Sequence, residues 1–380
     1  MWIWQLWPLY LLILAAGLYR WRFRRTLLAL LGVVSIAAWA VLPFPWIPKP
    51  PGPHPVGTKT YRWIDESREE LSTDDPNDKR AVIVQLFYPA PAGTAGDHSV
   101  YIDGLRDLPP KVSGVPRFFL HSLAYAETHS VVDAPLAGRT APWPVILFSP
   151  GYGAPRAFYT ALITNLASRG NVVLAIDHPY EAGVAELPDG RVVGNVVRDR
   201  PEDPDRIVYM QEQQAIRVAD MRFVLDRVAQ LPQAEHLDLS AVAAVGHSFG
   251  GASSMAAMQV DPRISAAMNL DGTPYGTLRD AQLRGPVLWV QGDPARGRQG
   301  KLYLDGNTAI VRQAKGGSGY HVMLRGTSHL SFTDAPRFLS PLGNLILRPA
   351  RPADDVTEAV IQLLEQLRTA PANLPRHGQR

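Results

Sequence analysis

From about Lys59 onward, short apolar, β-branched runs alternate with longer stretches of helical period. Seven runs read as strands: AVIVQLFYP (81–89), WPVILFSPG (143–151), NVVLAID (171–177), AVAAVGHS (241–248), ISAAMNLDG (264–272), GPVLWVQGD (285–293) and YHVMLRG (320–326). Most are apolar throughout instead of alternating, as strands covered on both faces must be. Between them, 156–168 and 207–231 read as helices. The longer one carries Ile216, Ala219 and Phe223 at helical spacing, continued by Val224, Val228 and Leu231. A closing amphipathic helix over 355–368 sets Val356, Ala359, Val360, Leu363, Leu364 and Leu367 on one side. This rhythm predicts an α/β fold with a largely parallel central sheet flanked by helices. No internal repeat interrupts it. The tail from Thr369 is polar and expected to fray. The pattern leaves open whether 97–140 and 189–206 form a lid.

The first 48 residues break the rhythm. Residues 2–19 carry no charge, RWRFRR follows at 20–25, and a second apolar stretch runs over 27–42. About 20 apolar residues cross a bilayer as a helix, so both stretches are slightly short for the purpose. They predict an N-terminal transmembrane hairpin, with Trp2, Trp4, Trp7, Trp39 and Trp46 at interfacial positions and the arginine loop in the cytoplasm. A cleaved signal peptide is the alternative, with Arg20–Arg25 as its basic region and Ala38-Trp39-Ala40 as its cleavage site. Either one exports the rest of the chain. The proline-dense PFPWIPKPPGPHPVG (43–57) reads as a stiff spacer off the membrane. The expected organisation is a membrane segment over 1–48, a linker over 49–58, a folded domain over 59–370 and a polar tail over 371–380.

Composition narrows the chemistry. Hydrophobic residues make up 46% and charged residues 19%, the proportions of a globular chain. The net charge is 38 − 35, or +3, but four of the positive charges (Arg20, Arg22, Arg24, Arg25) precede residue 49, where no acid occurs. The remainder carries 34 − 35, or −1. Such a body is a poor partner for nucleic acid. With no cysteine, the chain has no thiol nucleophile, no Cys-ligated metal and no disulfide. It contains no HExxH, no P-loop and no GxGxxG followed by a well-spaced acid, so no metal or nucleotide cofactor is expected. Only 6 of the 38 basic residues are Lys, the bias of a GC-rich bacterial genome.

The informative segment is Gly246-His247-Ser248-Phe249-Gly250-Gly251. A G-x-S-x-G between a buried strand and a small-residue helix is the pattern of a nucleophile elbow. Glycines at 246 and 250 let the backbone pass closely, and Ser248 is held in a strained turn at the sheet's edge. His247, adjacent to the serine, points away from it and reads as a packed or hydrogen-bonded histidine. In the chain order of such sites the base follows the acid, leaving His321, His329 and His377. His377 lies in the tail and His321 within a strand. His329 occupies the polar loop GTSHLSF (326–332) and is the expected base. The oxyanion donors expected by position are the backbone N–H groups of Phe249 and of Tyr152, the latter in the loop Ser149-Pro150-Gly151-Tyr152-Gly153. Asp177-His178 reads as a buried structural pair. His121 and His129, with Phe118 and Phe119, read as the packing face of a cap helix.

With these residues in place, the chain resembles the plasma-type (group II) platelet-activating factor acetylhydrolase family. The resemblance lies in LFSPGYGAPRAFY (147–159), LASRGNVVLAIDHP (166–179), AAVGHSFGGAS (243–253), ISAAMNLDG (264–272) and GTSHLSF (326–332). It implies an α/β-hydrolase fold and a cofactor-free serine esterase that cleaves short or oxidised acyl groups from phospholipids. It also implies Ser248, Asp271 and His329 as a triad and Tyr152 and Phe249 as oxyanion donors. Pro150 departs from the family, standing where animal members carry a histidine. The acid has a second candidate, because Asp293 ends the strand that most α/β-hydrolases use for it. Asp271 follows an uninterrupted apolar strand, whereas Asp293 precedes Pro294 and a charged run. A buried orienter of the imidazole is therefore expected at Asp271. The expected protein is an extracytoplasmic, membrane-attached ester hydrolase. A hydrolase of small or polymeric esters (cutinase-like or dienelactone-hydrolase-like) and a non-catalytic envelope binding protein are the alternatives.

Overall fold

The computed structural model describes residues 24–41 and 45–375, apart from 110, 113–114, 197–202, 281, 298, 341 and 344–349, together with residues 11 and 14. Nine strands form one sheet: β1 (Val56–Glu69), β2 (Lys79–Pro89), β3 (Ser130–Val132), β4 (Trp143–Ser149), β5 (Val172–Asp177), β6 (Leu237–His247), β7 (Ile264–Leu270), β8 (Val287–Gly292) and β9 (Gly319–Leu324). Their order is β9-β8-β7-β6-β4-β5-β2-β1-β3. From β9 to β5 all neighbours are parallel. β2 then runs antiparallel to β5 and β1 antiparallel to β2, while β3 lies parallel to β1. The helices are α1 (Arg24–Val41), α2 (Thr160–Ser168), α3 (Asp203–Val228), α4 (Phe249–Val260), α5 (Lys301–Gln313) and α6 (Ala353–Thr369).

Period-2 geometry divides the apolar strands between two cores. Val145 and Leu147 of β4 pack with Met221, Val224, Leu225 and Val228 of α3 and with Met255 of α4. Ile146 and Phe148 face the opposite layer, with Ile163 and Leu166 of α2 and Val360, Ile361, Leu364 and Leu367 of α6. Each such side chain contributes roughly 1.5–3 kcal/mol on full burial. The sheet is thus covered on both faces, as the continuous apolar runs require.

Two strands and one helix, β1, β3 and α5, carry no strong signal in the sequence. β1 (VGTKTYRWIDESRE) lies near the sheet edge and is only partly covered: Thr58 and Asp65 are buried, whereas Lys59, Ile64 and Glu66 are exposed. Its extended form is held by the register with β2, from Val56 opposite Pro89 to Asp65 opposite Arg80. β1 begins inside the stretch read as linker, and α5 begins at Lys301, the last residue of the charged run 295–301. The stripe in α3 also differs from the expected one. Ile216, Ala219 and Phe223 are half-buried, and the fully buried line is Gln214, Arg217, Asp220, Met221, Val224 and Val228. Three polar residues therefore sit on the inner face of α3.

The proline-dense segment is no free spacer. Gly52 N–H donates to Ser168 Oγ at 3.1 Å and His54 N–H to the Ser168 carbonyl at 3.1 Å. Ile47 is buried in a small cluster with Tyr101, Ile102, Leu108, Leu120 and Leu123, packed on Ala157 and Ala161. Much of 97–140 is therefore docked on the domain. The expected cap helix shrinks to one turn, Arg117–Leu120, followed by a 3-10 turn, His121–Tyr125. His129 Nε2 lies 3.0 Å from the Ile47 carbonyl. The tail is tied down as far as Pro375: Leu374 is buried, and His321 N–H donates to the Pro375 carbonyl at 3.1 Å, covering the β9 edge.

The expected transmembrane hairpin is not supported. Among the described residues no helix is long and apolar enough to cross a membrane. α1 has 18 residues, Arg24 and Arg25 included. At 1.5 Å per residue it measures about 27 Å, short of the ~30 Å hydrocarbon core. The first apolar stretch lies outside the described residues except for Leu11 and Leu14.

Candidate active site

Parallel strands bring their C-terminal ends to one edge, and that edge gathers the predicted residues. Ser248 follows β6 and caps α4, with φ 55° and ψ −125°. A non-glycine residue in that region is strained by about 1–3 kcal/mol. The turn is held by Ser248 N–H donating to the Leu270 carbonyl at 2.7 Å and Gly251 N–H donating to the Ser248 carbonyl at 3.0 Å. A Cβ on Gly246 would lie 2.3 Å from the Gly250 carbonyl carbon, and one on Gly250 would lie 2.1 Å from the Ser149 oxygen. Only glycine fits at either position.

Asp271 follows β7, and His329 lies in the loop after β9. His329 Nε2 is 3.0 Å from Ser248 Oγ, and His329 Nδ1 is 2.7 Å from Asp271 Oδ2. The other carboxylate oxygen, Oδ1, accepts from Tyr303 OH at 2.6 Å and from Gly292 N–H at 2.8 Å. Burial pushes the Asp271 carboxyl upward, but the hydrogen bonds from His329, Tyr303 and Gly292 outweigh it and hold it below the usual carboxylate range. An ionised carboxylate only accepts, so Nδ1 of His329 carries the proton and the Nε2 lone pair faces Ser248 Oγ. The arrangement can take a proton from the serine and stabilise the imidazolium that results.

Asp293 is not brought to His329. Its side chain accepts from Ala295 N–H at 2.9 Å and Gly326 N–H at 2.8 Å, holding a turn at the same cleft. His321 stacks on Trp289 and contacts Gln291 Oε1 at 2.7 Å, and His377 lies outside the described residues. Asp177 and His178 are both buried, but their partners differ: Asp177 pairs with Arg156, and His178 contacts Asp220 and Ser149.

His247 is buried and linked at both ring nitrogens. Its Nε2 is 2.9 Å from the His329 carbonyl, which can only accept, so Nε2 carries the proton. Its Nδ1 then accepts from Tyr159 OH at 2.8 Å, and Tyr159 OH accepts from Gly151 N–H at 2.9 Å. Burial and the nearby His329 push the His247 pKa down to about 3, so the relay stays neutral. It ties the base loop to the Ser149–Gly153 loop.

That loop packs on the elbow: a Cβ on Gly151 would lie 3.4 Å from the Ser248 Cβ. Phe249 opens α4, where the first-turn N–H groups lack intrahelical acceptors. The Tyr152 and Phe249 rings meet edge to face at 5.8 Å. A cleft of about 310 Å³ opens beside Ser248 and His329, lined by Thr273, Gly292, Gln299, Gly300, Tyr303 and Thr327 among others. Among the described residues no cluster of three or more His, Asp or Glu side chains could hold a metal ion.

Tyr303, Tyr159 and Arg217 are site residues that reading the sequence misses. Tyr303, Ile310 and Val311 recur at helical spacing and could have marked α5. Arg217 stands on the line of Val224 and Val228, where a charge is out of place on an apolar stripe.

The family model for platelet-activating factor acetylhydrolase, isoform II, matches residues 44–215 and 210–349. A probable 1-alkyl-2-acetylglycerophosphocholine esterase of Arthroderma benhamiae is 26% identical over 257 residues, covering 63% of this chain and 62% of that one. The platelet-activating factor acetylhydrolase of Cavia porcellus is 27% identical over 180 residues, 40% of each chain. The chain thus spans about three fifths and two fifths of the lengths of these relatives. Among solved structures, a ferulic acid esterase from Streptomyces cinnamoneus aligns with a TM-score of 0.69 and 29% identity, over 84% of this chain and 92% of that one. Because the family match runs through the Tyr152 loop and through Ser248, Asp271 and His329, the chain belongs to the platelet-activating factor acetylhydrolase, isoform II, family.

Proposed function

We propose that this protein is a serine carboxylic-ester hydrolase of α/β-hydrolase type that acts through Ser248, His329 and Asp271. The observation that carries the reading is the hydrogen-bonded line from Asp271 through His329 to a serine in a strained elbow. His329 Nε2 takes the Ser248 proton as Oγ attacks the acyl carbonyl, and the N–H groups of Tyr152 and Phe249 receive the oxyanion. The protonated His329 returns that proton to the leaving alkoxide, leaving an acyl-enzyme. Water, deprotonated by His329, then releases the acid. Short or oxidised acyl esters of phospholipids are the proposed substrates, in keeping with the relatives' names and with a small cleft. A second reading, small aryl or polymeric esters, is favoured by the near-complete alignment with the ferulic acid esterase.

Ser248→Ala should lower turnover on p-nitrophenyl acetate by about 10⁶-fold and abolish labelling by a fluorophosphonate probe. Wild-type-like hydrolysis by the variant would refute the mechanism. Rates on a truncated-chain phospholipid, a methyl hydroxycinnamate and a polyester film separate the substrate readings.

The proposal includes export of the domain, carried by the arginine cluster 20–25 followed by the apolar stretch 27–42, and attachment to a membrane through the uncharged run 2–19, with cleavage near Ala40 as the alternative. Reporters fused after Arg25 and after Gly57 should read cytoplasm and exterior respectively. A cytoplasmic reading from the second would exclude export.

A further inference from the structure

We propose that Arg217 is a positioning residue that aims the Tyr152 N–H at the oxyanion site by gripping two successive carbonyls of the Ser149–Gly153 loop. This rests on the esterase reading. Arg217 is 1% exposed and spends its guanidinium on four partners. Nε and Nη2 form a two-pronged pair with the Glu181 carboxylate, the first at 2.6 Å. Nη1 donates to Ser149 Oγ at 3.0 Å and to the Pro150 carbonyl, and Nη2 donates to the Gly151 carbonyl at 3.2 Å. The same group lies 4.8 Å from the centre of the Phe249 ring, so it touches both residues expected to supply oxyanion donors or their neighbours.

Peptide geometry turns that grip into a direction. In a planar trans peptide the C=O and the following N–H point opposite ways. The Pro150 carbonyl and the Gly151 N–H belong to one such unit: Arg217 holds the oxygen, and Tyr159 OH holds the hydrogen at 2.9 Å. The next unit joins the Gly151 carbonyl to the Tyr152 N–H. Arg217 holds that oxygen too, which turns the Tyr152 N–H away from the guanidinium. The Gly151 carbonyl also accepts from Ala154 N–H at 3.1 Å, a bond that closes the turn, and Arg217 fixes that turn to α3. An oxyanion donor must be oriented before the charge develops.

The surroundings lock the guanidinium in turn. Ser149 Oγ is 3.1 Å from His178 Nε2, and His178 Nδ1 is 2.8 Å from Asp220 Oδ2. Asp220 takes two bonds from Arg80, at 3.1 and 2.7 Å, and Arg80 pairs with Glu70 at 2.9 Å. Burying charges is costly, and apolar packing at such places is often at least as stable. A buried network whose central arginine ends on two loop carbonyls therefore marks orientation as its use.

The test compares Arg217→Lys and the charge-neutral double variant Arg217→Met with Glu181→Met, which leaves no unpaired carboxylate. Losing one oxyanion donor costs about 10²–10³ in kcat, so the double variant should lose about 100-fold in kcat with KM within about threefold. Lysine, a single-point donor, should hold one carbonyl and lose about tenfold. A trifluoromethyl ketone, whose adduct with serine carries the oxyanion, should weaken in parallel with kcat, while the corresponding non-electrophilic alcohol binds unchanged. A structural defect alone would weaken both. Ser248→Ala, assayed alongside, separates the two layers. Hydrolysis surviving there overturns the site reading and this proposal with it. Loss there, with wild-type kcat and ketone affinity in folded Arg217→Lys or in the double variant, overturns this proposal alone.

Discussion

Replacing Asp271 by Asn changes one atom, and the surrounding donors dictate what that atom does. Oδ1 accepts from Tyr303 OH and from Gly292 N–H, at 2.6 and 2.8 Å. An amide NH₂ at that position would face two donors, so the asparagine must keep its oxygen there. Its NH₂ is then turned to His329 Nδ1, where the carboxylate oxygen stood at 2.7 Å. A donor at that point requires Nδ1 to accept, which moves the imidazole proton to Nε2, facing Ser248 Oγ. The base then presents a proton where it needs a lone pair. Wrong-tautomer placement of this kind costs about 10⁴ in kcat, or about 5.5 kcal/mol at 1.36 kcal/mol per tenfold. The fold should survive, since the replacement is isosteric and the Oδ1 bonds persist. The control is Asp293→Asn. There, one of two backbone N–H groups loses its acceptor, which should cost little stability and less than threefold in kcat. The assay is kcat on p-nitrophenyl acetate, with thermal unfolding of each variant. A folded Asp271→Asn protein within tenfold of wild type would refute the tautomer argument, and an inactive Asp293→Asn would reverse the assignment.

Tyr303→Phe removes one of the two Oδ1 donors, and a hydrogen bond to a charged group is worth about 1.5–3 kcal/mol. The acid limb of the pH–kcat/KM profile should move upward, with kcat at neutral pH reduced by no more than about tenfold. An unshifted limb would show that Tyr303 does not hold the carboxylate. Asp334 is fully buried, accepts from Tyr101 OH at 3.1 Å, and is pushed up to about 7 chiefly by burial. Its raised folded pKa means stability is fully present below about pH 4 and lost as pH rises to about 7, by roughly 4 kcal/mol at most. In urea unfolding the difference between wild type and Asp334→Asn should change over that window and level off above it. A constant difference would contradict the assignment. His247, neutral when folded, contributes the opposite slope between about pH 3 and 6.5, which is why the difference between the two proteins is the quantity to compare.

Local chemistry made much of this protein legible in its sequence. A strand buried on both faces must be apolar at every position, so the parallel centre of the sheet announces itself in runs such as ISAAMNL and VLWVQG. The elbow is partly local: glycine at 246 is dictated by Gly250, four residues on, whereas glycine at 250 is dictated by Ser149 at the end of the neighbouring strand. The adjacency of Ser248, Asp271 and His329, 81 and 58 residues apart along the chain for the two bonds, follows from chain order once parallel strands share an edge.

Pairings whose energy comes from distant partners become visible only in the folded chain. β1 is extended because β2 lies beside it, and its half-exposed sequence need not say so. The proline-rich stretch and the tail pack against the domain through backbone bonds to Ser168 and His321, and a backbone bond leaves no trace in composition. The buried charges are the clearest case. Arg217 and Asp220 lie on the inward face of α3, where a periodicity argument expects apolar residues and so assigns the stripe to Ile216 and Phe223. A lone charge there would be expelled by its desolvation cost. It stays because Glu181, Arg80, His178 and the loop carbonyls, brought from three other segments, supply what water would have supplied, and only folding brings them together.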